Sequence, residues 1–335
     1  MSNYLHVDSL NTMADVWDCY QQDLMLVEDQ ILTNVGSDVP LAKEVETFIL
    51  QAGGKRIRPL LLLLSAKLCG CQGRQMHALA AFVEYIHTAT LLHDDVVDDA
   101  RFRRGKEAAH RLWGNQASIL VGDYLYAKAV SSIVDFQIHE LNSVIAESVR
   151  RMTEGEIMQI SLNSYQNVFS EHDYIQMVDR KTGALIAAAC QMGAILGDAD
   201  SSEQGALFQF GLQLGIAYQI VDDMLDYVGK GDSLGKTLGN DIQQGKITLP
   251  LLHLLKNVDD SGRKEIRSLL ERESPDQGDV QRIVELMEKH GSVQYSIMTA
   301  RQYVDRAKSS LIGFNESTAK QALCIAANYM TTRDC

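Results

Sequence analysis

Apolar residues recur at a helical period along most of this chain. Between Val16 and Ile31 they fall three or four positions apart, which predicts an amphipathic helix ahead of a break at residues 36–38. The two-residue alternation typical of strands is hard to find, and only four prolines occur. The pattern therefore predicts an almost entirely helical protein. Further helices are expected at residues 41–51, 59–68, 75–98, 117–134, 138–162, 171–196 and 201–228, with shorter ones from 250 to about 330.

Nothing in the 335-residue chain marks a boundary between domains. It holds no proline-rich linker, low-complexity tract or shift in composition, and its 46% apolar content is ordinary for a globular protein. We therefore expect one all-α domain over residues 1–335, a large helical bundle with an N-terminal helical segment at 1–35.

Three aspartates end the helix predicted at residues 75–98. Asp94 and Asp98 are one turn apart on one face, with Asp95 beside them. Like charges at this spacing repel by roughly 0.2–0.5 kcal/mol per pair on an exposed helix. Converging carboxylate oxygens suit Mg²⁺, which would offset this repulsion. For a single such cluster, a solvated helix end is the plainer interpretation.

A second cluster weakens that plainer interpretation. Asp222, Asp223 and Asp226 end another long apolar helix, and basic residues again follow. Mg²⁺ characteristically binds a few carboxylates together with substrate phosphates. Two such clusters that face one another across a cavity would grip a diphosphate through Mg²⁺.

Basic residues accompany both clusters. Arg binds phosphate oxygens with a two-pronged fork, whereas Lys acts as a point charge. A lone cation is better explained as a solvated surface charge, but Lys181 interrupts the apolar side of a helix. The cations flanking the first cluster are Lys55, Arg58, Arg103 and Arg104, and those around the second are Lys181, Lys236 and Lys246.

Charge and cysteine content exclude several classes of protein. The net charge of −13 argues against broad binding of nucleic acid. The six cysteines form no paired metal-binding pattern and no secretory signal begins the chain, so a cytoplasmic protein with reduced thiols is expected. The longest leucine run, residues 60–64, is far shorter than the roughly 20 apolar residues that span a bilayer, so no transmembrane segment is predicted.

The apolar face upstream of Asp94 indicates what the rest of the ligand is. Val83, Ile86 and Thr90 lie along this face, with Ala89 adjacent. Core packing explains most of these residues. A helix whose end holds a metal-bound diphosphate, and whose body is small and apolar, could also wall a tunnel for a hydrocarbon tail.

At these residues the sequence strongly resembles the trans-type isoprenyl diphosphate synthases. Motif order and spacing agree over about residues 40–330, and the closest likeness is to the long-chain branch, in particular the bacterial octaprenyl diphosphate synthases that supply quinone side chains. The resemblance implies an isoprenoid synthase bundle around a central cavity, in a homodimer. The matching motifs are residues 53–59, His87, 94–98, 103–105, 122–123, 181–182, 219–226, 235–236, Gly239, Asp241 and 245–250.

The resemblance also implies substrates and roles. The expected reaction adds isopentenyl diphosphate, one isoprene unit at a time, to an allylic diphosphate such as farnesyl diphosphate. Mg²⁺, three ions per active site, is expected on Asp94, Asp95, Asp98 and Asp222, with Asp223 and Asp226 acting partly through water. The allylic diphosphate is expected on Arg103, Lys181, Lys236 and Lys246, with Thr182 and Gln219 near its reacting carbon. Isopentenyl diphosphate is expected on Lys55, Arg58, His87 and Arg104.

Product length in such an enzyme is expected to follow the depth of the tunnel. Thr90 and Ala89, four and five residues before Asp94, carry no aromatic ring that would plug it, which favours a medium or long product. The octaprenyl length is expected. The floor is expected near Ser132 and Ile133, and Ser132 is smaller than the Met of the octaprenyl branch, which leaves room for a longer chain.

Other functions stay open at this level. A geranylgeranyl synthase would make a shorter product with the same motifs. A terpene cyclase would carry a different second motif and need no second diphosphate site. An HD-type metal phosphohydrolase would use His87 and His93 but leave the second aspartate cluster idle. A non-catalytic regulatory subunit would usually lose one aspartate motif, and this chain keeps both.

Overall fold

A computed structural model describes residues 10–162, 170–228, 239–270, 272 and 276–332. Helices account for nearly all the regular structure in these ranges. A two-stranded antiparallel hairpin, β1 (Phe102–Arg103) and β2 (Lys106–Glu107), and one π-helical segment, Asp179–Gly183, are the exceptions. The α-helices are α1 (Met13–Cys19), α2 (Gln21–Thr33), α3 (Pro40–Leu50), α4 (Ile57–Leu68), α5 (Gln75–Val97), α6 (Ala109–Val134), α7 (His139–Leu162), α8 (Glu171–Val178), α9 (Ala184–Leu196), α10 (Ser201–Val228), α11 (Asn240–Gln243), α12 (Leu249–Asn257), α13 (Asp260–Leu270), α14 (Gln277–Lys289), α15 (Ser292–Ser310) and α16 (Thr318–Tyr329).

The single N-terminal helix predicted for residues 1–35 is wrong in one respect, because the described part of it is two helices. A capping box begins α1, in which Thr12 accepts from the Asp15 amide and Asp15 accepts from the Thr12 amide. The chain then leaves helical geometry at Tyr20 (φ −105°, ψ 14°) before α2 starts. Apolar spacing alone cannot detect this break, since Val16 and Ile31 are both buried on either side of it.

Two further predicted elements differ in detail. The helix expected at 117–134 begins eight residues earlier, at Ala109, and bends at Gly114, whose φ of 83° is outside the helical range. The helix expected at 171–196 is interrupted by the π-helical segment Asp179–Gly183. Both irregularities are local changes in backbone geometry over a few residues, and the apolar spacing that predicted the long helices does not report them.

The described chain forms two compact units. The first comprises Met1–Glu147, Leu185–Gly211 and Ser310–Ala326, and the second comprises Ser148–Ala184, Leu212–Ser309 and Ala327–Cys335. Each unit is assembled from segments that are distant in sequence. The single domain expected from composition stays a prediction.

Helix α5 is the centre of the first unit. It packs along α6, α2 and α4, and most of its residues from Met76 to Ala89 are buried. The leucine run of α4, residues 60–64, has no exposed side chain. Helix α9 approaches α4 closely because Gly193 has no side chain: a Cβ there would lie 2.4 Å from the Leu62 carbonyl oxygen. Helix-to-helix contact at backbone distance therefore buries the leucine run.

The second unit contains two apolar clusters. The first is formed by residues of α8, α10, α12 and α15, and includes Tyr174, Met177, Ile216, Ile220, Leu249 and Ala300. The second joins α12 to α13 and α14 through Leu251, Leu254, Ile266, Ile283 and Met287. These clusters hold the C-terminal part of α10, which carries the second aspartate motif.

Among the described helices, α6 alone has the length and apolar composition of a membrane span. About two fifths of its most apolar window, 39%, is buried inside the protein. A core helix of a soluble protein meets the same criterion, so this feature by itself is weak evidence for a span.

Replacing Gly193 by Ala should destabilise the protein by about 1–3 kcal/mol, because the new methyl group would press on the α4 backbone, which cannot move away cheaply. Urea unfolding measures this. Gly205→Ala is the matched control: no atom lies within 4 Å of the new Cβ at this exposed position of α10, so the change should stabilise by up to about 1 kcal/mol. Equal effects of the two substitutions would refute the proposed close approach.

Candidate functional site

The first aspartate motif lies at the C-terminal end of α5. Asp94 and Asp95 occupy its last turn and Asp98 caps it, where the helix dipole already disfavours negative charge and no basic residue compensates within the turn. Asp95 is fully buried. Its Oδ1 accepts bonds from Arg103 at 2.8 Å from Nε and 2.5 Å from Nη2, while Oδ2 is buried with no hydrogen-bond partner. A buried carboxylate oxygen without a donor is suited to a cation.

Arg103 reaches Asp95 because the chain reverses in the hairpin after α5. Arg103 pairs with Lys106 across a two-residue turn of Arg104 and Gly105, which both have positive φ (51° and 76°). Positive φ at both central positions defines the type I′ turn that suits tight hairpins. Burial lowers the pKa of Arg103, but its bond to Asp95 and the charges of Asp94 and Asp98 reverse this, so its pKa is raised. The basic segment that follows α5 is therefore a defined hairpin.

Arg104, on the same hairpin, meets the glycine turn that follows α3. Its guanidinium donates to the carbonyl of Gly53. A Cβ on Gly54 would lie 2.9 Å from Arg104 Nη2, so the missing side chain makes room for the guanidinium. The sequence predicted a role for Arg104. Its contact with the turn at Gly53 and Gly54 was not predictable, because the two segments lie some fifty residues apart.

Arg104 belongs to a cluster of positive groups. The pKa of His87 lies well below its usual range because of burial and of the charges of Arg58 and Arg104, followed by Arg103 and Arg56. Burial and the neighbouring arginines likewise lower the pKa of Arg104, against an opposing effect of Glu84. Cations that lower one another's pKa define a place where an anion is favoured. Three of the four residues predicted for isopentenyl diphosphate, Arg58, His87 and Arg104, lie in this cluster. The fourth, Lys55, is exposed and precedes Arg58 by three residues.

The second unit presents Lys181 and Thr182 on the π-helical segment. Two glycines allow neighbouring helices to reach this segment. A Cβ on Gly155 of α7 would lie 2.4 Å from the main-chain nitrogen of Lys181, and a Cβ on Gly215 of α10 would lie 2.6 Å from the Cα of Gly183. Short π-helical segments are frequently found at functional sites. The segment is thus held between two helices at backbone distance.

The Lys181 ammonium is held by α7. It lies 2.8 Å from Glu156 Oε1 and donates to Gln159 Oε1 at 2.5 Å. Sequence analysis missed both partners, because an acidic and an amide residue on an amphipathic helix give no local signal of a distant lysine. The ammonium is oriented before any ligand arrives.

A chain of partly buried hydrogen bonds links Thr182 to the second aspartate motif. Thr182 Oγ1 donates to Gln219 Oε1 at 2.6 Å, and Gln219 Nε2 donates to Asp223 Oδ1 at 2.7 Å. Tyr174 donates to the other oxygen, Oδ2, at 2.5 Å. Burial nevertheless raises the pKa of Asp223 to about 6, against these two bonds. Both Asp223 oxygens are engaged, so this carboxylate is arranged to hold Gln219 in place.

Asp241 joins the second cluster. Its amide donates to Asp226 Oδ2 at 2.8 Å. Its own pKa lies well above the usual range because of burial and the charges of Asp223 and Asp226, and Lys246 opposes the shift. The second cluster therefore contains four aspartates with Lys246 close by. Asp241 was visible in the sequence as part of a motif, but its place in this cluster was not.

The predicted chain-length residues lie where α5 packs along α6. Val83, Ile86 and Ala89 are buried, as is Ile133, while Thr90 and Ser132 are half-buried. One turn before Ile86, Phe82 meets Phe136 edge to face at 6.3 Å between ring centroids. Sequence analysis did not anticipate this aromatic pair. Lys236, predicted for the allylic diphosphate, lies outside the described residues.

The carboxylates of the two aspartate motifs are chemically suited to Mg²⁺, because this ion prefers hard oxygen ligands. No group of three carboxylate, imidazole or thiol side chains in the described ranges is close enough to form a metal cage by itself. An ion here would complete its coordination with diphosphate oxygens and water, which is characteristic of Mg²⁺. The neighbouring His93 has its Nε2 3.0 Å from the Ile119 carbonyl of α6.

The family model and the relatives that this chain matches all belong to one family. Residues 39–287 match the family model described as polyprenyl synthetase. The chain is 35% identical to the octaprenyl diphosphate synthase of Haemophilus influenzae over 98% of both chains. It is 36% identical to the geranyl-diphosphate-specific all-trans-nonaprenyl-diphosphate synthase of Rhodobacter capsulatus, covering 90% of this chain and 92% of that one. Other matching relatives are named heptaprenyl and geranylgeranyl diphosphate synthases.

Among solved structures, a polyprenyl synthase from Caulobacter crescentus CB15, complexed with calcium and isoprenyl diphosphate, is similar with a TM-score of 0.92. The identity is 35%, covering 98% of this chain and 99% of that one. The similarity confirms the predicted all-α isoprenoid synthase fold.

Arg103→Ala should destabilise the protein by about 3 kcal/mol in the absence of divalent ions, because it leaves the buried Asp95 charge without its partner. Urea unfolding in the presence of a chelator measures this. The double variant Arg103→Ala with Asp95→Asn should recover most of the loss, since no unpaired charge remains. Strictly additive losses would show that the two side chains do not interact.

Proposed function

This chain belongs to the polyprenyl synthetase family and is a prenyltransferase, and we propose that it condenses isopentenyl diphosphate head to tail onto an allylic diphosphate, repeatedly, to give an all-trans medium or long chain. The observation that carries the proposal is the pairing of Asp95, with its open buried oxygen, to an arginine hairpin that also supports the cation cluster of His87 and Arg104. The hairpin thus brings Arg103 to the first aspartate motif and Arg104 to the cation cluster.

We assign Mg²⁺ to the two aspartate motifs, with three ions per active site. When bound, the ions would neutralise the diphosphate that departs from the allylic carbon, a Lewis-acid role. Asp94, Asp95 and Asp98 would hold them on the first motif, and Asp222 and Asp226 on the second. We assign Asp223 to orienting Gln219, since both of its oxygens already accept bonds from the protein.

The basic residues would hold the two diphosphates. We assign isopentenyl diphosphate to Lys55, Arg58, His87 and Arg104, where clustered positive charge favours an anion. Arg103, Lys181, Lys236 and Lys246 would bind the allylic diphosphate. Lys181 is already aimed by Glu156 and Gln159, and would exchange or share those partners when diphosphate arrives.

Thr182 and Gln219 would support the carbocation that forms when the diphosphate leaves. The Thr182–Gln219–Asp223 chain presents amide and hydroxyl dipoles in a fixed orientation. Preorganised dipoles aimed at developing charge are an effective form of transition-state stabilisation. The double bond of isopentenyl diphosphate would attack the cation, and a proton would then leave, with the released diphosphate as its acceptor.

We propose octaprenyl diphosphate, for quinone side chains, as the product. Small side chains at Ala89 and Thr90 favour a deep tunnel, and relatives of similar identity are named for octaprenyl and nonaprenyl products. A geranylgeranyl product is the second candidate, because a relative of that name matches most of the chain. The homodimer and the cytoplasmic location stay predictions.

The competing functions have less support. A phosphohydrolase of the HD type would need His93 on a metal, and that ring instead bonds to α6. A silent regulatory subunit would have little need for the partly buried Thr182–Gln219–Asp223 chain or for both aspartate motifs. These observations favour the catalytic assignment.

Product analysis tests the proposal. Purified protein incubated with farnesyl diphosphate, labelled isopentenyl diphosphate and Mg²⁺ should yield longer prenyl diphosphates by chromatography, and a chelator should stop the reaction. Release of orthophosphate without chain growth would overturn the proposal in favour of a hydrolase.

Asp94→Ala should lower turnover by roughly 10²-fold or more, because it removes a carboxylate that anchors the charge-stabilising ions. Initial rates with labelled isopentenyl diphosphate measure this. The control is Asp305→Ala on α15, since the Asp305 side chain is 73% exposed and its loss should not change turnover. Turnover of the Asp94 variant equal to that of the control would remove Asp94 from the metal site.

Ala89→Phe should shift the products to shorter chains, because an aromatic ring one helical turn below the first motif would plug the tunnel. Chromatography of the product mixture reveals the shift. Ala146→Phe on the exposed side of α7 is the control and should leave the product unchanged. An unchanged product from the folded Ala89 variant would place the growing chain elsewhere.

A further inference from the structure

Arg56 has an unusual backbone and an unusual position. It lies between Lys55 and Arg58 and adopts the left-handed conformation, φ 47° and ψ 38°, which residues other than glycine seldom take. It is also buried, with a side chain only 6% exposed, while Lys55 next to it is exposed. A buried arginine in an unfavourable conformation needs strong partners.

The Arg56 guanidinium has such partners on three elements. Nε and Nη2 donate to Glu28 of α2 at 2.5 and 3.2 Å, and Nη1 donates to Glu84 of α5 at 2.7 Å. Nη2 also donates to the Leu50 carbonyl at the end of α3, at 3.2 Å. Each of its three nitrogens is engaged by the protein.

These bonds distinguish Arg56 from Arg104. Burial lowers its pKa, but the bonds to Glu28 and Glu84 more than reverse this, so its pKa is raised. The pKa of Arg104 is lowered instead, because other cations surround it. The charge of Arg56 is neutralised by carboxylates, and its three guanidinium nitrogens are already bonded to the protein instead of being available to a diphosphate. Arg104 lies where positive charge is in excess.

We propose that Arg56 is a positioning residue for the isopentenyl diphosphate site. Its three anchors hold the turn before α4, where Arg56 adopts the left-handed geometry, and the same stretch of chain carries Lys55 and Arg58. Through Glu28, helix α2 of the N-terminal segment becomes part of the support of that site. This inference rests on the proposed function, because it takes the diphosphate assigned to Lys55 and Arg58 as its readout.

Arg56→Lys tests the inference, since lysine keeps the charge but cannot form a fork with two carboxylates. Calorimetric titration with isopentenyl diphosphate should show binding weakened about tenfold or more, as loss of preorganisation predicts. In steady state, KM for isopentenyl diphosphate should rise similarly while KM for the allylic diphosphate changes less than about twofold. Glu28→Gln should also raise KM for isopentenyl diphosphate more than KM for the allylic diphosphate, by a smaller factor. Because the Glu28 carboxylate is partly exposed, this second variant tests the inference even if Arg56→Lys fails to fold.

Asp23→Asn is the matched control. Asp23 also ties α2 to α5 and α4, through His77 at 2.8 Å and Lys67 at 3.0 Å, but does not contact the turn at residues 53–58. It should lower the midpoint of thermal unfolding without changing binding of isopentenyl diphosphate. An equal loss of binding in this control would make α2 packing in general, and not Arg56, responsible.

The two failures are distinguishable. Wild-type protein that binds no isopentenyl diphosphate would overturn the proposed function and this inference with it. Wild-type binding together with unchanged binding by folded Arg56→Lys and Glu28→Gln would overturn the inference alone. Equal rises in both KM values would also overturn it, because a general structural defect would explain them.

Discussion

Repulsion between like charges is the constraint on which both clusters of this protein depend. Asp94, Asp95 and Asp98 lie at the negative end of the α5 dipole, and the second cluster brings buried Asp223 beside Asp241. The fold counters part of this charge with an arginine hairpin in one case and with hydrogen-bond donors in the other. The remaining negative charge is what the proposed Mg²⁺ ions would offset.

The arginines of the first unit are sorted by partner and not by sequence. Arg56 is neutralised by Glu28 and Glu84, and Arg103 is tied to Asp95, so both have raised pKa values. Arg104 donates to a backbone carbonyl and has a lowered pKa. Adjacent basic residues therefore divide into those that shape the site and those left with uncompensated charge.

Backbone proximity does the remaining positioning. Gly155 and Gly215 let two helices reach the π-helical segment that carries Lys181 and Thr182, and Gly54 makes room for Arg104. In each case a side chain would displace the group whose position matters. Rigid elements that touch at backbone distance give a more exact placement than long side chains could, because fewer torsion angles separate the scaffold from the reacting groups.

Much of this followed from the sequence, because helices and motif faces are local properties. Apolar spacing predicted most helices, the four-residue spacing of Asp94 and Asp98 predicted the first cluster, and the ordered set of motifs predicted the family, which the comparisons confirmed. The break at Tyr20 and the π-helical segment were not predicted, because apolar spacing over a long window does not report backbone geometry at a few residues.

Only the tertiary structure decided which partner each functional side chain takes. Tyr174 reaches Asp223 across 49 positions, Arg56 reaches Glu84 across 28, and Lys181 meets Gln159 across 22. Periodicity states which face of a helix a residue occupies, but not which helix will pack against that face. Hydrogen bonding acts over about 3 Å of space whatever the separation in sequence, so these assignments became available only when the chain was folded.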